Sequence, residues 1–222
     1  KENFTEVIYS SLDGNVYLGK VSRIIPSMNA AFVDIGGETG YLHYSNFRHK
    51  LSKAVSMSDV LHVGDLVIVQ IIKESIRDKK VKLSNMISLA SRYVVLNTYN
   101  NLINFSSKLQ LEEKSYINAV VEENKIAFPY GYLFRTECNK LTEQELVAEA
   151  NSLNTIWGSI EFLAKNDKTP RLIFSKSIFF NSFLTNVNLD NIDCIEVEGD
   201  DNFGFKGFIE EHFGHDYLKL IK

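Results

Sequence analysis

Phe32 and Tyr41 are large aromatics at positions where an alternating sequence should place solvent-facing side chains. The stretch from Arg23 to Phe47, RIIPSMNAAFVDIGGETGYLHYSNF, alternates apolar and polar residues like a pair of strands. Successive side chains of a strand point to opposite faces. Ala31, Val33 and Ile35 therefore share one face and suit a core, while Ala30, Phe32 and Asp34 share the other. On the next strand Gly40 and Leu42 go inward, and Tyr41 and His43 face out beside Phe32. Outward aromatics of this kind can stack unpaired nucleobases, at roughly 1–3 kcal/mol per base. The hairpin IRDKKVKLS adds Arg77, Lys79, Lys80 and Lys82, cations of the right sign for a phosphate backbone crossing that surface. Two other readings stay open on the pattern alone: a second domain covering the aromatics, and lysines that are only solvated.

Other groups are less promising. LDNIDCIEVEGDD holds Asp190, Asp193, Glu196, Glu198, Asp200 and Asp201, enough carboxylates for a metal site on paper. A nuclease metal site needs acids converging from different strands. These fall on one strand and a helix start, where Asp200 and Asp201 serve as first-turn acids facing the helix dipole. Cys138 and Cys194 are far apart and read as free thiols of a reducing, cytoplasmic compartment. The five histidines form no metal motif.

The elements that must position these residues divide the chain in two. From Asn15 to about Ser91, short strand-like runs (VYLGKVSRII, AAFVDIG, TGYLHY, DLVIVQIIKES and KKVKLSNMISL) alternate with turn residues. Five short strands in this length predict a small closed barrel of the OB type, with a sandwich fragment as the alternative. Beyond it the pattern is mixed. A helix is expected from about Leu111 to Val121, then the extended YGYLFRT. Thr142 and Glu145 form a capping box opening a long helix, whose Leu146, Ala150, Leu153, Trp157, Ile160 and Ala164 make one apolar stripe. A strand at Arg171–Phe174, a helix at Lys176–Leu184, a strand at Ile192–Val197 and a helix near Asp200–His212 follow.

Charge agrees with this division. Residues 1–95 hold 12 Lys and Arg against 9 Asp and Glu, whereas the rest of the chain is acidic and the net charge is −4. A polyanion site therefore belongs to the first half or to isolated basic residues of the second. No window of 18 apolar residues exists to span a membrane. The chain begins with Lys1, so its natural N-terminus is expected to lie upstream, and an organelle address stays open.

GNVYLGKVSRIIPSMNAAFVDIGGETGYLHYSNF, VGDLVIVQIIKE, LSNMISLASRYVVL, GYLFRT and TPRLIFSKSIFFNSFL together resemble the N-terminal part of the ribonuclease E/G family of RNA-processing endoribonucleases. The resemblance implies an α+β fold, with a five-stranded OB-type β-barrel inserted next to a mixed α/β sensor and RNase H-like subdomain. It divides the chain into the start of the RNase H-like subdomain (1–14), an OB RNA-binding module (15–90), a sensor of the RNA 5′ end with the long helix (91–169), and the rest of the RNase H-like subdomain (170–222). It assigns Phe32, Tyr41 and Lys79 to the RNA surface, joined by Lys80 and Lys82 from the charge pattern. It assigns Arg135, Thr136, Ser91 and Val95 to a 5′-monophosphate pocket, where a guanidinium fork and a hydroxyl suit phosphate. Two departures stand out: Ser91 replaces a usual glycine, and Ser106-Ser107-Lys108 replaces a more basic stretch.

The resemblance implies single-stranded RNA with a 5′-monophosphate as partner, no membrane, and a homo-oligomer in the full-length protein. Catalytic aspartates holding Mg²⁺ are expected in a later domain, beyond Lys222, so no catalytic residue, metal or cofactor is expected in this chain. A stand-alone RNA-binding regulator and a protein-interaction scaffold are the alternatives.

Overall fold

The computed structural model describes residues 12–48, 55–73, 80–91, 93–175 and 219. All but the last lie in one compact unit, Leu12–Lys176. The elements expected between 176 and 212 lie outside the described residues, as do the acidic stretch 190–201, Cys194, Arg77 and Lys79.

The first strands are β1 (Val16–Ile25), β2 (Ala30–Asp34), β3 (Thr39–His43), β4 (Leu66–Lys73) and β5 (Lys82–Ser84). They close into a barrel in the order β1-β2-β3-β5-β4, with β4 returning to β1. The β3–β5 pairing is parallel, the others antiparallel. β1 makes closure feasible by dividing its length. Val16–Lys20 pairs with β4 and Lys20–Ile25 with β2, with a bulge between Val21 and Arg23 that bends the strand. Val21, Ala31, Val33, Ile35, Leu42, Val69, Ile71 and Leu83 fill the interior. Gly40 lets β3 approach β5, because a Cβ there would lie 2.4 Å from Leu83 Cδ1. At the β2–β3 turn Gly36 has φ +91° and packs against Pro170, conditions that exclude a larger residue.

The run KKVKLSNMISL, expected as one strand, is two. Ser84 Oγ donates to Asn46 O and accepts from Met86 N, and Asn85 bonds both backbone groups of Arg48. These side-chain bonds end β5 and turn the chain into a new sheet. That sheet contains β6 (Ser88–Ala90), β7 (Val94–Asn97), β8 (Ile103–Phe105) and β9 (Gly131–Phe134), in the order β6-β7-β9-β8. Two helices, α1 (Leu111–Glu123) and α2 (Glu143–Asn166), share a core with it. The last strand, β10 (Arg171–Phe174), pairs with the outer edge of β1 at Val16–Leu18.

α2 starts at its expected cap: Thr142 Oγ1 accepts from Glu145 N while Glu145 Oε2 accepts from Thr142 N. The Thr142 backbone N–H and then its hydroxyl, both donating to Glu145 Oε2, hold the Glu145 carboxyl below its usual range. The stripe from Leu146 to Ile160 is buried as expected; Ala164 is only half-buried. Among the described residues no ladder joins the two sheets. Instead the buried Gln70 of β4 bonds both Ser88 backbone groups, accepting from its N–H and donating to its carbonyl, and donates also to Gly14 O. The barrel and second sheet with helices are the α+β architecture that the sequence implies.

Candidate nucleic-acid interface

Register across β2 and β3 sets Phe32 opposite Tyr41 and Val33 opposite Gly40. Because Val33 and Leu42 point into the core, Phe32 and Tyr41 must point out, and both rings are half-buried rather than covered. Their centroids lie 6.0 Å apart at 61°, an edge-to-face contact. Tyr41 is followed outward by His43, whose ring lies 6.3 Å away at 32°. Three rings thus make one row on the barrel surface. Ala30, expected on the same outer face, is fully buried.

His43 falls on this face by the same alternation. Its Nδ1 accepts from Ser45 N at 3.1 Å, so the neutral ring carries its proton on Nε2. That leaves a donor at the free edge of the row.

The basic residues come to the same place. Tyr41 pairs with Lys82 across the parallel β3–β5 ladder, and Tyr41 N donates to Val81 O. Lys80 Nζ sits 5.9 Å from the Phe32 ring centroid, within cation–π range. Lys80 and Lys82 are exposed. Lys79 lies outside the described residues.

The second candidate site forms where β9 ends. Arg135 N donates to Tyr93 O, continuing the β7–β9 ladder in which Val95 pairs with Leu133. The exposed Arg135 side chain turns back, and its Nη1 donates to Ser91 O at 2.8 Å. Ser91 is itself tied into a turn, its Oγ accepting from Val94 N. Thr136 lies 2.9 Å, oxygen to oxygen, from Ser106. The structure therefore links Arg135 to Ser91 and Thr136 to Ser106, while Val95 is tied in only as the ladder partner of Leu133. Ser106, Ser107, Leu133, Phe134, Arg135 and Thr136 line an open cavity of roughly 410 Å³. Among the described residues Arg135 is its one cationic lining residue. Ser106 stands in the stretch that the sequence sets near this pocket, but its bond to Thr136 is not legible there, because it depends on the parallel pairing of β8 with β9.

Close to this cavity, Cys138 is a free thiol, buried and pushed up to about 11 by its surroundings. Among the described residues no three His, Cys, Asp or Glu side chains gather as a metal site would require. Nor is any described helix long and apolar enough to cross a membrane.

Comparison with known proteins gives a consistent result. Residues 88–221 match the sequence model of the ribonuclease E/G family, and residues 13–85 that of the S1 RNA binding domain. The chain is 28% identical to ribonuclease G of Haemophilus influenzae over 226 residues, covering 94% of this chain and 45% of that protein. It is 29% identical to ribonuclease E of Synechocystis over 206 residues, covering 89% and 30%. With ribonuclease G of Escherichia coli K12 it shares 27% identity over 197 residues, covering 83% and 40%. The chain thus spans less than half the length of these relatives.

Proposed function

The chain belongs to the ribonuclease E/G family, and from that premise we propose that it grips single-stranded RNA on its barrel and senses a 5′-monophosphate beside β9. The observation that carries the reading is the row Phe32, Tyr41 and His43 with Lys80 and Lys82 beside it. Exposed π-faces next to cations are what a flexible, unpaired polyanion needs: bases stack and phosphates pair.

The cavity at Arg135 supports the sensor. One guanidinium N–H is held by Ser91 O, which fixes the fork and leaves its other donors for a ligand. The Ser106–Thr136 hydroxyl pair supplies a neutral donor beside it. A terminal phosphate monoester offers both donors charged oxygens in a fork, whereas a 5′-hydroxyl offers one neutral oxygen.

In the longer protein this part would hold and orient RNA for an endoribonuclease acting in RNA processing and decay, with homo-oligomeric assembly. The magnesium that such cleavage implies has no fit among the described residues, and no cleavage step runs through them.

Fluorescence anisotropy tests the sensor half of the reading. A short single-stranded RNA bearing a 5′-monophosphate should bind more tightly than its 5′-hydroxyl twin, and Arg135→Ala should erase the difference. Equal binding of the two RNAs to the unaltered chain would remove the sensor.

A further inference from the structure

We propose that Ser106 is a positioning residue that aims the Thr136 hydroxyl at the terminal phosphate. The inference rests on the 5′-phosphate reading of the Arg135 cavity.

The argument is one of proton count. Ser106 Oγ and Thr136 Oγ1 lie 2.9 Å apart, so one hydroxyl donates to the other. Two hydroxyls carry two protons, one is used between them, and one remains. The direction of the bond decides which oxygen presents that remaining proton. Lys108 N donates to Ser106 Oγ at 3.3 Å. An oxygen that accepts from a backbone N–H becomes a better donor, because hydrogen bonds in a chain polarise one another. The favoured order is therefore Lys108 N–H to Ser106 Oγ, Ser106 O–H to Thr136 Oγ1, and Thr136 O–H into the cavity.

The backbone holds this chain in place. Ser106 N donates to Phe134 O at 2.8 Å, which locks the segment after β8 to the end of β9. Leu109 N closes a turn onto Ser106 O. Ser106 and Thr136 both line the cavity beside Arg135. With Arg135 the one cation among the described lining residues, oriented hydroxyl donation carries a larger share of phosphate recognition than in a pocket with several basic residues.

The test is a double-mutant cycle read on a ratio. The preference of the 222-residue chain for 5′-monophosphate over 5′-hydroxyl RNA is measured for the unaltered chain, Ser106→Ala, Thr136→Val and the double variant. Ser106→Ala should lower the preference by about three- to tenfold, the size of one ordinary net hydrogen bond. In the Thr136→Val background the same change should do nothing further. Ser106→Thr, which keeps the hydroxyl, should retain the preference. An unchanged ratio in Ser106→Ala would overturn the inference while leaving the sensor standing. An equal loss in the Thr136→Val background would also overturn it, since Ser106 would not act through Thr136. Should Ser106→Ala fail to fold, Ser106→Cys, which replaces the hydroxyl with a weak thiol donor, takes its place and should lower the ratio. A ratio of one in the unaltered chain would remove sensor and inference together.

Discussion

Phe32 and Tyr41 face each other across β2 and β3, centroids 6.0 Å apart, on the side of the barrel opposite its core. The next residue along, Leu42, is fully buried on the other side. One step of the strand thus separates a side chain free to bind from one that holds the fold. Phe32→Ala should therefore leave thermal unfolding nearly unchanged, whereas Leu42→Ala should cost about 2–5 kcal/mol. Equal destabilisation by both, measured by urea titration, would show that Phe32 is a core residue.

Lys80 and Lys82 should act on RNA through charge. For a single strand each phosphate contact contributes about 0.7 to the slope of log affinity against log salt. Replacing each lysine by Ala should flatten that slope by about this amount, with little dependence on RNA sequence. A slope unchanged by both substitutions would place the strand elsewhere.

Gln70 should matter to stability out of proportion to its polarity. Gln70→Leu leaves Ser88 N, Ser88 O and Gly14 O without this partner. Unsatisfied groups of this kind cost about 1–3 kcal/mol each where they stay dry, so a loss of about 3 kcal/mol or more is expected by urea titration. A loss below about 1 kcal/mol would mean that water replaces the amide.

Alkali should weaken the fold. Burial pushes the Cys138 thiol from 9.0 to about 11 and raises the Tyr132 phenol well above its ordinary range. The unfolded chain then loses the thiol proton first, so stability is complete below pH 9 and falls as the pH rises toward 11. The urea midpoint should drop over that window, and Cys138→Ala should remove part of the drop. A midpoint that stays flat across it would contradict the assignment.

How much of this was legible in the sequence depended on whether a local period carried it. The outward placement of Phe32 and Tyr41 follows from period-two alternation, because one face of β2 and β3 packs a core. The stripe of α2 follows from its helical period, and its start from the Thr142–Glu145 cap. The break between β5 and β6 was not legible, because Ser84 and Asn85 interrupt an otherwise continuous strand-like run by bonding to a loop far away in sequence. The Ser106–Thr136 pair was hidden for a similar reason: 30 residues separate them, and only the β8–β9 pairing joins them.

The central claim is that the aromatic row is an RNA surface. The most direct measurement is the affinity of a 5′-hydroxyl oligouridine of about ten nucleotides for the unaltered chain and for Phe32→Ala/Tyr41→Ala, with unfolding curves recorded alongside. The account predicts a loss of tenfold or more, from about 1–3 kcal/mol per stacked base, with unfolding nearly unchanged. Undiminished binding by a folded double variant would contradict it.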